Sequence, residues 1–439
     1  MVMLKKSRII LLAGLMLLAF AQVAFPALRA VGPVLPDTDP GPGWSAGFNG
    51  FPMWYRDTLG RTVQLAVPPN PESIPDPVIA GNAFSAHIGF GSEAMYWHST
   101  AIIDDFGGVV GNQALLVLAL EAAFAGGDAA PGDQIVFARV RIRIDIPDGG
   151  EGTYTVLYPY GTKTYTVAAG RRAINDTIDV GIGAPGVFTG ALQGDIGPFL
   201  VQVGLPPGSP ILGDAATLAQ VTGSAIPNAT HASGFQNFFE VLGPGPATSA
   251  RTDLFVTGAR LFAGTPFTIT RTTFSRGAGG TFVEVFGLAP APFIPGVALT
   301  ATLPGQGATA LRRFGNQYYE RIQFATPPNP FVPGLVTITG TTNGLNPTSL
   351  TSPLTDVVSV IQATYNNAAR TLIIAATSTD TVTPATLTAS GWSGAGAGGQ
   401  PLNPGGAPTT FVNVPLAPAT IVVRSSGGGT ESVKPVVLP

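Results

Sequence analysis

Three sets of residues in this sequence have types and spacings that could do chemistry. The first is Gly43-Trp44-Ser45-Ala46-Gly47, a G-x-S-x-G run of the kind that lifts a nucleophilic serine onto a sharp strand-to-helix turn. Such a serine needs a histidine as its base, and the chain offers His87, His98 and His231. The flanks oppose an elbow: Pro40 and Pro42 precede the serine and Phe48-Asn49-Gly50-Phe51-Pro52 follows it, so Ser45 reads as a polar residue in a Gly-rich turn. The second set is Arg139, Arg141 and Arg143 within "FARVRIRID". On a strand this spacing puts three guanidinium groups on one face and Val140, Ile142 and Ile144 on the other. In line, they could hold a polyanionic glycan or a carboxylate-rich partner by bidentate bonds. The ordinary alternative is cross-strand pairing with Glu121, Asp104 or Asp105. The third set is the aromatic island Trp44, Trp54 and Tyr55, joined by Trp97, which could stack on sugar rings or pin its segment to a core.

Metal and cofactor chemistry has less to stand on. His87 and His98 with Asp104 and Asp105 would have to converge from different strands, and Asp148 and Glu151 lack the D-x-D-x-D spacing of a calcium loop. The absence of cysteine excludes disulfides, thiolate zinc sites, iron–sulfur clusters and a cysteine nucleophile. No cofactor is expected.

The elements that must position these residues are strands. Charged residues are only 11% of the 439 against 45% hydrophobic, and 57 glycines and 41 prolines punctuate short apolar runs. From Phe84 onwards the period is two: "EAMYWHSTAII", "DQIVFARVRIRIDI", "GTYTVLYP" and "TKTYTV" are strands of an antiparallel sandwich. The Leu- and Ala-rich stretch Asn112 to Phe124 leans towards helix by composition, but its alternation and its neighbours make it a strand. Before all of these, Lys5, Lys6 and Arg8 precede an apolar run that ends in small residues, the pattern of a leader cut after Ala21 or Ala30, with a retained anchor as its rival. After the leader, residues 31–82 are dense in proline and are expected to run as an extended arm.

In "IPDGGEGTYTV", Tyr154 follows a turn at a strand start, and this resembles the corner of immunoglobulin-like domains where a tyrosine hydroxyl bonds back to the turn. The chain also repeats itself. "FTITRTTFS" (267–275) resembles "VSVIQATYN" (358–366), "GTFVEVFG" (280–287) resembles "RTLIIAAT" (370–377), and "PGLVTITG" (333–340) resembles "PATIVVRS" (418–425). With "TTNGLNPTSLTSPL" as linker, the last 175 residues or so resemble those of bacterial extracellular proteins built from tandem Ig-like domains. That resemblance implies adhesion, spacing or ligand presentation and transfers no catalytic residue.

The expected class is therefore all-β: a leader (1–30), an arm (31–82), a large β-sandwich (83–262) and two tandem Ig-like modules (263–352 and 353–439). Four basic and no acidic residues stand in the first thirty, so without them the net charge moves from −3 to −7, which gives no overall pull towards nucleic acid. No segment after the leader is long and apolar enough to span a membrane. The expected function is a secreted or surface protein that binds, adheres or builds extracellular structure without catalysis. Its partner would be an extracellular glycan or a surface protein, recognised by the Arg139, Arg141, Arg143 face or by Trp44, Trp54 and Tyr55. The alternative is a secreted esterase or glycosidase whose catalytic domain is residues 83–262.

Overall fold

The computed structural model describes residues 28–36, 49–67, 72–223, 237–291, 294–324 and 334–439. Residues 1–27 of the expected leader, Trp44, Ser45 and His231 lie outside the described residues. The chain is nearly all β, and its strands form several sheets in sandwich arrangement. Among the described residues no helix is long and apolar enough to cross a membrane.

The first part of the chain holds β1 (Leu28–Val31), β2 (Tyr55–Asp57), β3 (Thr62–Gln64), helix α1 (Ala83–Ile88), β4 (Glu93–Asp104), β5 (Gln113–Phe124), β6 (Gln134–Ile146), β7 (Gly152–Tyr158), β8 (Gly161–Val167) and β9 (Gly170–Val180). It continues through β10 (Val201–Gln202), β11 (Ile211–Gly213), β12 (Ala219–Thr222), β13 (Phe239–Leu242), β14 (Ala250–Thr252) and β15 (Leu254–Leu261). A large sheet runs in the order β1-β2-β3-β15-β4-β5-β6-β9, and a smaller one in the order β14-β13-β7-β8. Leu116, Leu118, Leu120, Val140 and Ile142 from the first share one core with Tyr154, Val156, Phe239 and Val241 from the second. β5 is a strand despite its composition because β4 and β6 pair with it along its length, and an alternating face buried between two long partners outweighs helix propensity. The Tyr154 hydroxyl donates back to the Gly150 carbonyl at 2.6 Å, closing the expected corner.

The segment 31–82 is not an extended arm where it is described. It supplies β2, β3 and part of β1 to the edge of the large sheet, and Phe51 and Tyr55 are core residues. Prolines do not prevent this, because Pro33, Pro36 and Pro52 fall outside the three strands and the apolar residues between them have more area to bury than the turns cost. Of the residues in the expected leader, Leu28 to Ala30 belong to β1, where Leu28 is fully buried and Ala30 pairs with Arg56.

Two further cores follow. One is enclosed by β16 (Thr268–Gly277), β17 (Gly280–Leu288), β18 (Ala298–Thr302), β19 (Thr309–Ala310), β20 (Arg312–Phe314), β21 (Gln317–Gln323), β22 (Leu335–Thr342), β23 (Leu345–Pro353) and β24 (Thr355–Asp356). The other is enclosed by β25 (Val358–Asn366), β26 (Thr371–Ser378), β27 (Leu387–Ser390), β28 (Gln400–Pro401), β29 (Thr409–Phe411), β30 (Ile421–Ser425), β31 (Thr430–Val433) and β32 (Val436–Leu438). Their strand orders correspond: β21-β17-β16-β24 to β29-β26-β25-β32, and β19-β18-β22-β23 to β28-β27-β30-β31. In each, the last short strand runs parallel to the first, and a bulge falls at the same place, between Ile269 and Arg271 in one and between Val360 and Gln362 in the other. The expected linker is not a linker. Most of it is β23, paired with β22 from Pro353 to Leu345, because uncharged Thr and Ser suit a strand with one wet face.

Candidate anion-binding groove

The Arg ladder lies where its spacing puts it, on the outer face of β6, with Val140, Ile142 and Ile144 in the core behind it. Its three members do not share one fate. Arg139 pairs with Asp179 of β9 through Nε at 2.7 Å and Nη2 at 2.8 Å, and its Nη1 lies 2.8 Å from Glu121 of β5. It is a nearly buried clamp across three strands. Burial pushes Glu121 up to about 7 against the pull of Arg139, so this carboxyl is expensive to ionise although it is paired. Asp104 and Asp105, the other expected partners, bond instead to Gln113 Nε2 and to the Gly111 amide.

Among the described residues, Arg141 and Arg143 meet no carboxylate. Arg141 Nε donates to Thr177 Oγ1 and Arg143 Nε to Asn175 Oδ1, each at 3.3 Å, which leaves most of their N–H groups to solvent. Burial and the like charges of Arg139 and Arg143 push the Arg141 guanidinium below its ordinary value, so positive charge here is in excess.

That excess converges on a groove of about 450 Å³ at the end of the sheet, between the loop Val110–Gln113 and the residues Arg143, Asp145, Arg171 and Arg172. Arg171 and Arg172 begin β9, are exposed, and have no side-chain ion pair among the described residues. The single carboxylate of the groove, Asp145, is used structurally: Oδ2 accepts the Gln113 amide at 3.0 Å and Oδ1 the Arg172 amide at 2.7 Å. The second bond holds Arg172 at φ 48°, a left-handed conformation uncommon for a residue with a side chain, and so fixes where its guanidinium leaves the backbone. Three planar forks around one polar groove are suited to bidentate capture of carboxylates or other oxyanions.

The aromatic island is placed differently. Trp54 and Tyr55 are 1% and 0% exposed, and the Tyr55 hydroxyl donates to the Phe188 carbonyl at 3.0 Å. They pin β2 to the core and present no open platform to a sugar. Trp44 lies outside the described residues. His98 is buried under Gly258 with neither ring nitrogen hydrogen-bonded, and burial lowers it to about 4, so it is a neutral packing residue and bonds to no serine or carboxylate. Among the described residues no group of three or more His, Asp or Glu is placed to hold a metal ion.

Sequence reasoning missed Arg171 and Arg172. The doublet follows Gly170 in "AAGRRAIND" and carries no spacing signal of its own. Only the β6–β9 register, with Arg143 opposite Asn175 and Ile146 opposite Gly170, brings it beside Arg143. Neither a protein-family model nor a curated protein matches this sequence.

Proposed function

We propose that the protein works outside the cell or on its surface as a non-enzymatic β-sandwich protein, with a first sandwich that binds and two Ig-like modules that space or anchor it. Its ligand is an anionic chain, either an acidic glycan or a carboxylate-rich surface protein. The observation that carries this reading is the convergence of Arg143, Arg171 and Arg172 on one groove, with no side-chain carboxylate partner among the described residues. Export rests on the leader pattern of residues 1–21, with cleavage after Ala21, because a cut after Ala30 would remove three of the four residues of β1.

Among the described residues of 83–262, His98 bonds to no nucleophile and the Glu121 carboxyl is clamped by Arg139, which supports binding over a hydrolase there. The test is retention of the chain on immobilised polygalacturonate, with uncharged dextran as control. Retention on the acidic matrix alone, eluted by salt, is expected; equal behaviour on both matrices would sink the proposal.

A further inference from the structure

The platform of rings that the arm does not provide exists elsewhere. On the outer face of the sheet β20-β21-β17-β16, one cross-strand row runs Arg312, Tyr319, Phe286, Arg271. The Tyr319 and Phe286 rings lie 4.7 Å apart between centroids, and the Arg271 guanidinium sits 4.1 Å from the Phe286 centroid. Four residues back along β17, Phe282 carries the Arg321 guanidinium at 4.3 Å. Stacking fixes each guanidinium by its face and leaves the N–H groups in its plane free to meet an anion. Arg312 is occupied by Glu320 and the Tyr319 hydroxyl reaches Glu284, but Arg271 and Arg321 have no ion pair among the described residues. Lying on the two strands that flank β17 and offset by two residues, they stand roughly 12 Å apart on strand spacing and rise.

The other repeat serves as an internal control. By register, its residues at the places of Arg271, Phe286, Phe282 and Arg321 are Gln362, Ala375, Thr371 and Thr410. The same sandwich is thus built without arginine or aromatic side chains on this face, and the fold does not demand them.

We propose that this face forms a second binding site, independent of the groove on the first sandwich, for a linear acidic saccharide, whose spaced carboxylates bond to Arg271 and Arg321. A saccharide fits better than an acidic peptide strand, because β17 and β21 are paired on both sides and the stacked face offers no free sheet edge.

The test uses the full chain carrying Arg143→Gln, Arg171→Gln and Arg172→Gln, which silences the groove, and a galacturonate oligomer as probe, with polyglutamate as competitor. The oligomer is expected to bind this chain, and adding Arg271→Gln with Arg321→Gln should weaken it about tenfold or more at an unchanged melting temperature. Lys at both positions keeps the charge but loses the stacked fork and should weaken binding too. No binding by the groove-silent chain, unaltered affinity after loss of Arg271 and Arg321, or displacement by polyglutamate at equal charge would each overturn the proposal. If instead the groove substitutions leave affinity at the wild-type value while those on this face abolish it, the second site stands and the groove reading falls.

Discussion

At the scale of single residues, spacing along one strand was legible and pairing between strands was not. The sequence puts Arg139, Arg141 and Arg143 on one face, but the partner that each guanidinium meets depends on the β5–β6–β9 register, which gives Arg139 two carboxylates and Arg143 an asparagine. The same face carries a prediction about pH. Glu121 is held at about 7, above its ordinary 4.5, so the folded chain binds this proton more tightly than the unfolded one. Through Glu121 alone, stability therefore rises as pH falls from 7 to 4.5. Buried His98 is lowered from 6.5 to about 4, so through His98 alone stability falls as pH drops from 6.5 towards 4. The two trends oppose one another over the same range. Denaturant melts at pH 7 and pH 5 should show a Glu121→Gln variant losing stability on acidification and a His98→Gln variant gaining it. Slopes of one sign in both variants would contradict the assignment.

Element by element, the period-two pattern located β4 to β8 and the paired repeats β16 and β25, because alternating burial is a local property that a sequence displays directly. The proline-dense N-terminal segment misled for a related reason. Proline tells where a strand stops, but whether Phe51, Trp54 and Tyr55 lie on a surface or in a core depends on a sheet edge that β15, some two hundred residues later, provides. β1 makes this testable. A chain beginning at Leu28 or earlier keeps β1, whereas one beginning at Val31 loses the buried Leu28 side chain and the pairing of Leu28 and Ala30 with β2. The shorter chain should be less stable by about 2–5 kcal/mol, the usual cost of deleting a large core side chain. Equal melting of chains 22–439 and 31–439 would show that β1 contributes nothing. If the proposed export holds, N-terminal sequencing of a cell-free or surface fraction should find a start before Leu28.

Over the whole molecule, the repeat announced two similar modules but not how they are joined. Asp356 belongs to both: its backbone pairs with Phe274 of the preceding sandwich, and its carboxylate accepts from the Ser425 hydroxyl at 2.6 Å and the Gly429 amide at 2.8 Å in the following one, as well as from Ser378. Beside it, Arg276 of β16 makes a buried ion pair with Asp380. Such a seam couples the two cores. Asp356→Ala leaves several donors without an acceptor and should cost about 1–3 kcal/mol, read in the melting of residues 353–439 as well as of the full chain. Arg276→Ala strands a buried carboxylate and should cost about 3–5 kcal/mol in a chain spanning both modules. In the isolated fragment 353–439, which lacks Arg276, Asp380→Ala removes only the acceptor of the Val382 and Thr383 amides and should cost about 1 kcal/mol, less than the loss of Arg276 in the longer chain. Independent melting of the two modules in the intact chain, unchanged by Arg276→Ala, would mean that the seam carries no coupling.

The molecule as a whole is slightly acidic, at −3, so a polyanion gains nothing from its net charge and must be drawn by a local cluster. The most direct measurement is therefore the equilibrium affinity of the full chain for a galacturonate oligomer, at low and at physiological salt, before and after replacing Arg143, Arg171 and Arg172 with glutamine. The groove predicts salt-sensitive binding by the unaltered chain, and a loss of about tenfold or more in the triple variant at an unchanged melting temperature. Equal affinity in the two proteins, or binding indifferent to salt, would contradict it.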